Sequence, residues 1–262
     1  MAIARLCKTL SATLALSLVL AGSVLADTAA TASYVVNLGG NIIATANFKF
    51  AVTGAAYDLD LNATVSGFAQ LVAAGTARAS SDGAVTGDGL VSNAFNLTTH
   101  SGGDEFRVQV TYANSNVSAF VVTPPIVNNI NRIPIERGQL LGVNDFLASF
   151  VLKGDRLDRS LCSRHAPIFT GIERFDLNFS YAKDDVATSP RTGYQGPVVL
   201  CKVKYKPISG HYTTSELTNA LAQDDRILVW FAPLRDTGYF VPYRVLLTTS
   251  MGDLSMVLTS LN

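Results

Sequence analysis

The groups in this chain that could perform chemistry are its histidines, its carboxylate pairs and a run of cations. His100, His165 and His211 are the three histidines. They lie far apart, form no H-E-x-x-H, and share no helical face, so they make no metal-ligand pattern and read as loop histidines. The pairs Asp184-Asp185 and Asp224-Asp225 have the composition of a calcium site or an acid–base couple. Both fall where strands give way to turns, and both read as solvated ends. No G-x-S-x-G elbow, phosphate loop or G-x-G-x-x-G fingerprint is present, and Gly87-Asp88-Gly89 reads as a hairpin turn. Lys153, Arg156, Arg159, Arg164 and His165 form a basic stretch of the kind that meets an anionic headgroup or a cell-wall polymer. Asp155 and Asp158 partly neutralise it, which favours a solvated face. Arg174 and Arg244 stand beside Phe175 and Tyr243, where a guanidinium can stack and anchor neighbouring strands. No catalytic residue, metal ligand or cofactor site is assigned.

Composition narrows the classes further. Twenty Lys and Arg balance twenty Asp and Glu, with no basic block, which argues against a nucleic-acid partner. A 48% hydrophobic, 15% charged chain is not disordered either. Residues 1–26 read as a secretory signal peptide. Arg5 and Lys8 precede an apolar run over residues 10–22, and Val24-Leu25-Ala26 supplies the small residues of a cut ahead of Asp27. The run is short for a membrane span, and Ser23 stands where a lipoprotein would need its acylated Cys. Cleavage removes two cations and no acid, leaving residues 27–262 with a formal charge of −2 and no membrane span. Cys7 departs with the leader. Cys162 and Cys201 then remain in an oxidising compartment, where a structural disulfide is favoured over a redox pair. Such a loop is worth roughly 4 kcal/mol in the chain-entropy account.

The elements that must position these groups are mostly strands. Tyr57, Leu59 and Leu61 alternate with Asp58, Asp60 and Asn62, and Phe106, Val108, Val110 and Tyr112 alternate with Arg107, Gln109 and Thr111. Phe175, Leu177, Phe179 and Tyr181 repeat the pattern, as do Val203 and Tyr205 among Lys202, Lys204 and Lys206. Ser250-Met251-Gly252-Asp253 reads as a closing hairpin turn. About a dozen strands with connections too short for crossover helices predict an all-β fold, a long antiparallel meander forming a curved half-barrel or spiral sheet. One segment departs from period two. Val143, Phe146, Leu147, Phe150 and Val151 fall at helical spacing, predicting about three turns started near Asn144 and stopped at Lys153-Gly154. A weaker helix is predicted over 214–222. A Pro- and Asn-rich connector at 124–134 separates the halves of what reads as a single β-rich domain.

From Cys162 onward the chain resembles a bacterial family of exported proteins, domain of unknown function 3108, found mainly in Gram-negative bacteria. The segments Phe169-Thr170-Gly171-Ile172-Glu173-Arg174-Phe175-Asp176-Leu177 and Cys201-Lys202-Val203-Lys204-Tyr205-Lys206-Pro207-Ile208-Ser209-Gly210 are similar to its F-D-G-x-x-R-Y/F-D-L and C-x-V-x-Y-x-P-I-x-G motifs. Val241-Pro242-Tyr243-Arg244-Val245, with Thr249 and Gly252, resembles its closing strand and hairpin. Tyr34, Gly39, Tyr57 and Ser81-Asp82-Gly83 match more loosely. Thr170 stands where the family pattern has Asp, which weakens any catalytic reading of that position. The resemblance implies a periplasmic protein, and its architecture is akin to the curved sheets of lipid and lipoprotein carriers, an analogy of fold.

An open curved sheet has an apolar inner face that needs cover, and the amphipathic helix is its natural lid. The functional expectation is a non-enzymatic protein of envelope maintenance. It would bind an apolar or amphipathic ligand, lipid or lipoprotein, through Val143, Phe146, Leu147, Phe150 and Val151. The alternative is a structural protein presenting a sheet edge to an envelope partner; a hydrolase of cell-wall polymers ranks last.

Overall fold

The structure is a computed structural model that describes residues 27–66, 75–223, 226–235, 237–249 and 252–262. Residues 1–26, expected to be a signal peptide, lie outside the described residues, as do Asp224-Asp225 and Ser250-Met251.

Period-two alternation becomes strands, as expected. In chain order they are β1 (Thr28–Leu38), β2 (Asn41–Thr53), β3 (Ala56–Val65), β4 (Gly75–Val85), β5 (Leu90–Ser101), β6 (Asp104–Ala113) and β7 (Asn116–Thr123). After the connector come α1 (Phe146–Phe150), β8 (Leu152–Lys153), β9 (Arg164–Phe169), β10 (Arg174–Ala187) and β11 (Gly196–Ser209). The chain ends with α2 (Glu216–Gln223), β12 (Ile227–Pro233), β13 (Tyr239–Thr249) and β14 (Gly252–Leu261). One antiparallel sheet runs β7-β6-β5-β4-β3-β2-β1-β14-β13-β12-β11-β10-β9, with β8 pairing β13. Two sequential meanders are therefore fused by the first and last strands, Val35 opposite Val257 and Leu38 opposite Leu254. The fold is all-β with two short helices, and the sheet is curled but not closed.

The free edges are β7 and β9, and they come close without pairing. The Phe120 and Phe169 rings meet edge-on at 5.1 Å, and the Tyr112 hydroxyl donates to the Phe169 carbonyl at 2.8 Å. The extended stretch between the connector and α1 spans the gap. Its Val143 N–H donates to the Ser115 carbonyl at 2.8 Å on the β6–β7 side, while Asn144 bonds in a parallel bridge to β9 around Ile168. Gly171 completes the approach: a Cβ there would lie 2.2 Å from Val108 Cγ1, and its φ of +85° disfavours any other residue.

Two apolar clusters lie on opposite faces. The inner one joins Tyr34, Phe48, Phe50, Tyr57, Phe95 and Val110 of the N-terminal half to Val198, Val241 and Leu258 of the C-terminal half. The outer one covers only the C-terminal half, with Phe175, Phe179, Val199, Val203 and Phe231 packed under Leu152, Leu161 and Ile168. The disulfide sits there: Cys162 and Cys201 are both fully buried, with their Cα atoms 5.3 Å apart.

Several local expectations are corrected. The helix predicted over 143–151 is α1, five residues, because tertiary hydrogen bonds claim its ends. Val143 and Asn144 are extended and stitch the sheet edges, and Leu152-Lys153 is drawn into β8 against Tyr239 and Phe240. The second helix forms at Glu216–Gln223. Asp184-Asp185 are not strand ends but lie within β10 opposite Val199 and Val198. Asp185 accepts from Trp230 Nε1 at 2.9 Å, and that bond holds its carboxyl below the usual range. His100 and His165 lie on β5 and β9, not in loops. Arg174 does not stack on Phe175. It is buried, bonding Asp176 at 2.5 Å and the Gln139 carbonyl at 3.0 Å. Arg244 stacks on Trp230, its cross-strand partner, at 5.4 Å, and not on Tyr243.

Candidate functional site

The predicted lid forms around a single fully buried carboxylate. Asp145 precedes α1 and caps it, accepting from the Ala148 N–H at 2.9 Å. The cap is itself held by the sheet. Ser81 Oγ of β4 donates to Asp145 Oδ2 at 2.5 Å, and the Ser92 hydroxyl of β5 packs against both Asp145 and Asn144. The Ser92 N–H donates to Asn144 Oδ1 at 2.9 Å, and Asn144 Nδ2 donates to the Leu90 carbonyl at 2.8 Å. The Tyr57 hydroxyl from β3 lies 3.0 Å from Ser81 Oγ. Polar groups at inward positions of three neighbouring strands thus converge on one helix cap.

Electrostatics follows burial. Desolvation pushes the Asp145 carboxyl up, opposed by the bonds from Ser81, Ser92 and the Ala148 and Leu147 N–H groups. Burial and then the nearby Asp145 charge push the Tyr57 and Tyr112 phenols upward. Gly83 lets Tyr57 pack this closely, because a Cβ at that position would lie 2.1 Å from the Val91 carbonyl oxygen and 2.8 Å from the Tyr57 ring. With Asp145 fully buried, the cluster is an anchor for α1.

What the anchor positions is an apolar cavity of about 220 Å³. Phe146, Leu147, Phe150 and Val151 form one wall. Tyr34, Phe48, Leu61, Pro242, Val245 and Met256 form the other, drawn from β1, β2, β3, β13 and β14. The Phe146 and Phe150 rings touch at 5.0 Å, and Phe150 reaches Phe179 at 6.2 Å. Phe146 is 41% exposed and stands at the mouth. Of the five residues chosen from the sequence, four line this cavity. Val143 does not: it is buried in the extended stretch before α1 and borders a different, polar cavity.

The strand-side residues were missed as a set because alternation shows which residues point inward, not which strands meet. The Asp145 anchor was missed too. Its only signal was the polar Ser81 and Ser92 at positions where an inner face should be apolar. The motif residues work elsewhere, as clamps on the connector. Arg132 Nε donates to the Gly210 carbonyl at 2.7 Å and its Nη2 to the Ile172 carbonyl at 2.8 Å, while Arg174 holds Gln139.

Among the described residues no three His, Cys, Asp or Glu side chains gather as a metal site, and no helix is long and apolar enough to cross a membrane. No curated protein and no solved structure matches the chain. A family model described as protein of unknown function (DUF3108) matches residues 33–259, and the chain belongs to that family.

Proposed function

We propose that this protein is a non-enzymatic carrier of the bacterial periplasm that serves envelope maintenance by holding the acyl part of a lipid or lipoprotein beneath α1. The observation that carries this reading is the cavity lining. Apart from the Tyr34 hydroxyl, every lining side chain is hydrocarbon or thioether. At the ~30 Å³ that one water, and similarly one methylene, occupies, about 220 Å³ holds about seven methylenes, a segment of an acyl chain. The Cys162–Cys201 disulfide supports export to an oxidising compartment. Titration of the mature protein with an environment-sensitive fluorescent fatty acid tests the reading. Saturable binding displaced by decanoate and altered by Phe150→Ala is expected; a folded wild type that binds no apolar probe overturns it.

One observation favours a second reading, an interaction protein. The edge strand β7 carries exposed apolar side chains, Phe120 at 42% and Val121 at 55%, beside an unpaired backbone edge. Native mass spectrometry of protein taken from its own periplasm separates the two, a lipid adduct favouring the carrier and a protein adduct the edge.

A further inference from the structure

The polar cavity beside α1 is larger, about 460 Å³, and meets the helix through Ala148 and Ser149, which do not line the apolar one. Its other walls are the β4–β5 turn with Asp88 and Gly89, and the approach to β9 with Ser163 and Arg164. Arg164 is its central feature. The side chain is half-buried, and Nη2 donates to the Lys153 carbonyl at 2.8 Å. Among the described residues its Nε and Nη1 have no acceptor, and no carboxylate lies within 4.0 Å of it. Asp88, on the exposed rim, acts on it only from farther away. Burial pushes the guanidinium pKa down, and the more distant Asp88 charge opposes that only in part.

We propose that this cavity is a binding site for a phosphate-type oxyanion, with Arg164 as its counter-ion. Only one of the two Nη2 N–H bonds is spent on Lys153, so one planar fork, Nε with Nη2 or Nη1 with Nη2, remains open to two oxygens of a tetrahedral anion. Gly89 borders the guanidinium, since a Cβ there would stand 3.8 Å from Nη1, in ordinary van der Waals contact. Ser163 is exposed at the cavity and has no hydrogen bond from its hydroxyl among the described residues, so it can add a neutral donor. The same chemistry is offered by free phosphate and by the phosphate of a lipid headgroup. The inference stands on this cavity alone and does not need a chain in the apolar one.

Calorimetric titration of the mature protein with inorganic phosphate, at ionic strength held constant with chloride, is the test. Saturable binding is expected, weakened about tenfold or more in Arg164→Gln, as loss of charge-assisted bonds implies. Asp88→Asn is expected to tighten it by about two- to threefold, because a repelling carboxylate leaves the rim. Octyl phosphate forms the second arm: tighter binding than inorganic phosphate assigns the site to a headgroup, and equal binding assigns it to the free anion. Arg164→Gln also removes the bond to Lys153 and can fail to fold. The Arg164 Nε–Hε resonance of the wild type is therefore followed as well, and it should shift with phosphate and not with chloride. Absence of phosphate binding in the wild type, an unmoved resonance, or unchanged affinity in both variants overturns the proposal.

Discussion

The two halves of the sheet solve the same burial problem differently. From β1 to β7 only the inner face is covered, and Asp58, Asp60, Asn62, Arg107, Gln109 and Thr111 face water on the other. From β9 to β13 consecutive residues are buried on both faces, as at Val198 and Val199, Phe231 and Ala232, or Phe240 and Val241. The second layer there is small: β8, the turn at Arg159–Cys162, and Leu221 and Ala222 of α2. A short cover of that size orders poorly alone, and the disulfide binds it to β11. The single-layered half has no such cover, so its inner face depends on the curl, on α1 and on the far half. Stability of the C-terminal half is therefore local, and that of the N-terminal half is borrowed.

Removing the staple should produce the largest effect. Cys201→Ser should cost about 4 kcal/mol in the chain-entropy account. Amide exchange should rise first in β9–β11 while β2–β6 keep their protection. Equal loss in both halves would break the comparison.

Next comes the link between helix and wet half. Asp145→Ala should cost about 3 kcal/mol by urea denaturation, since it orphans Ser81, Ser92 and the Ala148 N–H in a dry site. Exchange should rise in β4 and β5 before β11. Asp145→Asn keeps one oxygen acceptor, puts an N–H donor in place of the other and cannot ionise, so it is the non-titrating reference. Burial raises the folded carboxyl, so the native state holds this proton more tightly than the unfolded chain. That contribution is complete below the unfolded aspartate value and is lost as pH rises through the folded one. Stability of the wild type relative to Asp145→Asn should accordingly fall as pH climbs through that window and level off above it.

Phe150→Ala should cost about 1–2 kcal/mol, below the ~3–5 kcal/mol of truncation in a closed core, because this half-buried ring borders a cavity. A full core penalty would mean the space is filled. The smallest effect belongs to the exposed Arg244 on the half-buried Trp230: Arg244→Leu should lose about 0.5 kcal/mol of cation–π attraction, seen as a small shift of the melting point.

Local periodicity made much of this legible. Alternation over Tyr57–Leu61 and Phe106–Tyr112 needs only neighbouring residues to mark a strand and its wet face, and both segments form as read. The pairing of Cys162 with Cys201 likewise required no fold to be expected. The helix was half legible: its apolar spacing picked out the four residues that reach the cavity, but not that it would stop after five. Its start was decided by partners 53 or more positions away, Ser81 and Ser92 on Asp145 and Leu90 on Asn144, and its stop by the pairing of Leu152 and Lys153 with Phe240 and Tyr239. Hydrogen bonds of that range leave no periodic trace in the chain.

By itself, then, the sequence determined the strands, their inward residues, the cysteine pair and the apolar face of one helical turn. These depend on side-chain chemistry within a few positions. Only the tertiary structure decided that β1 meets β14, that Val143 and Asn144 bridge the edges β7 and β9, and that an apolar and a polar cavity both border α1. Those outcomes depend on which distant edges and buried polar groups satisfy one another best, a choice made by the whole chain at once.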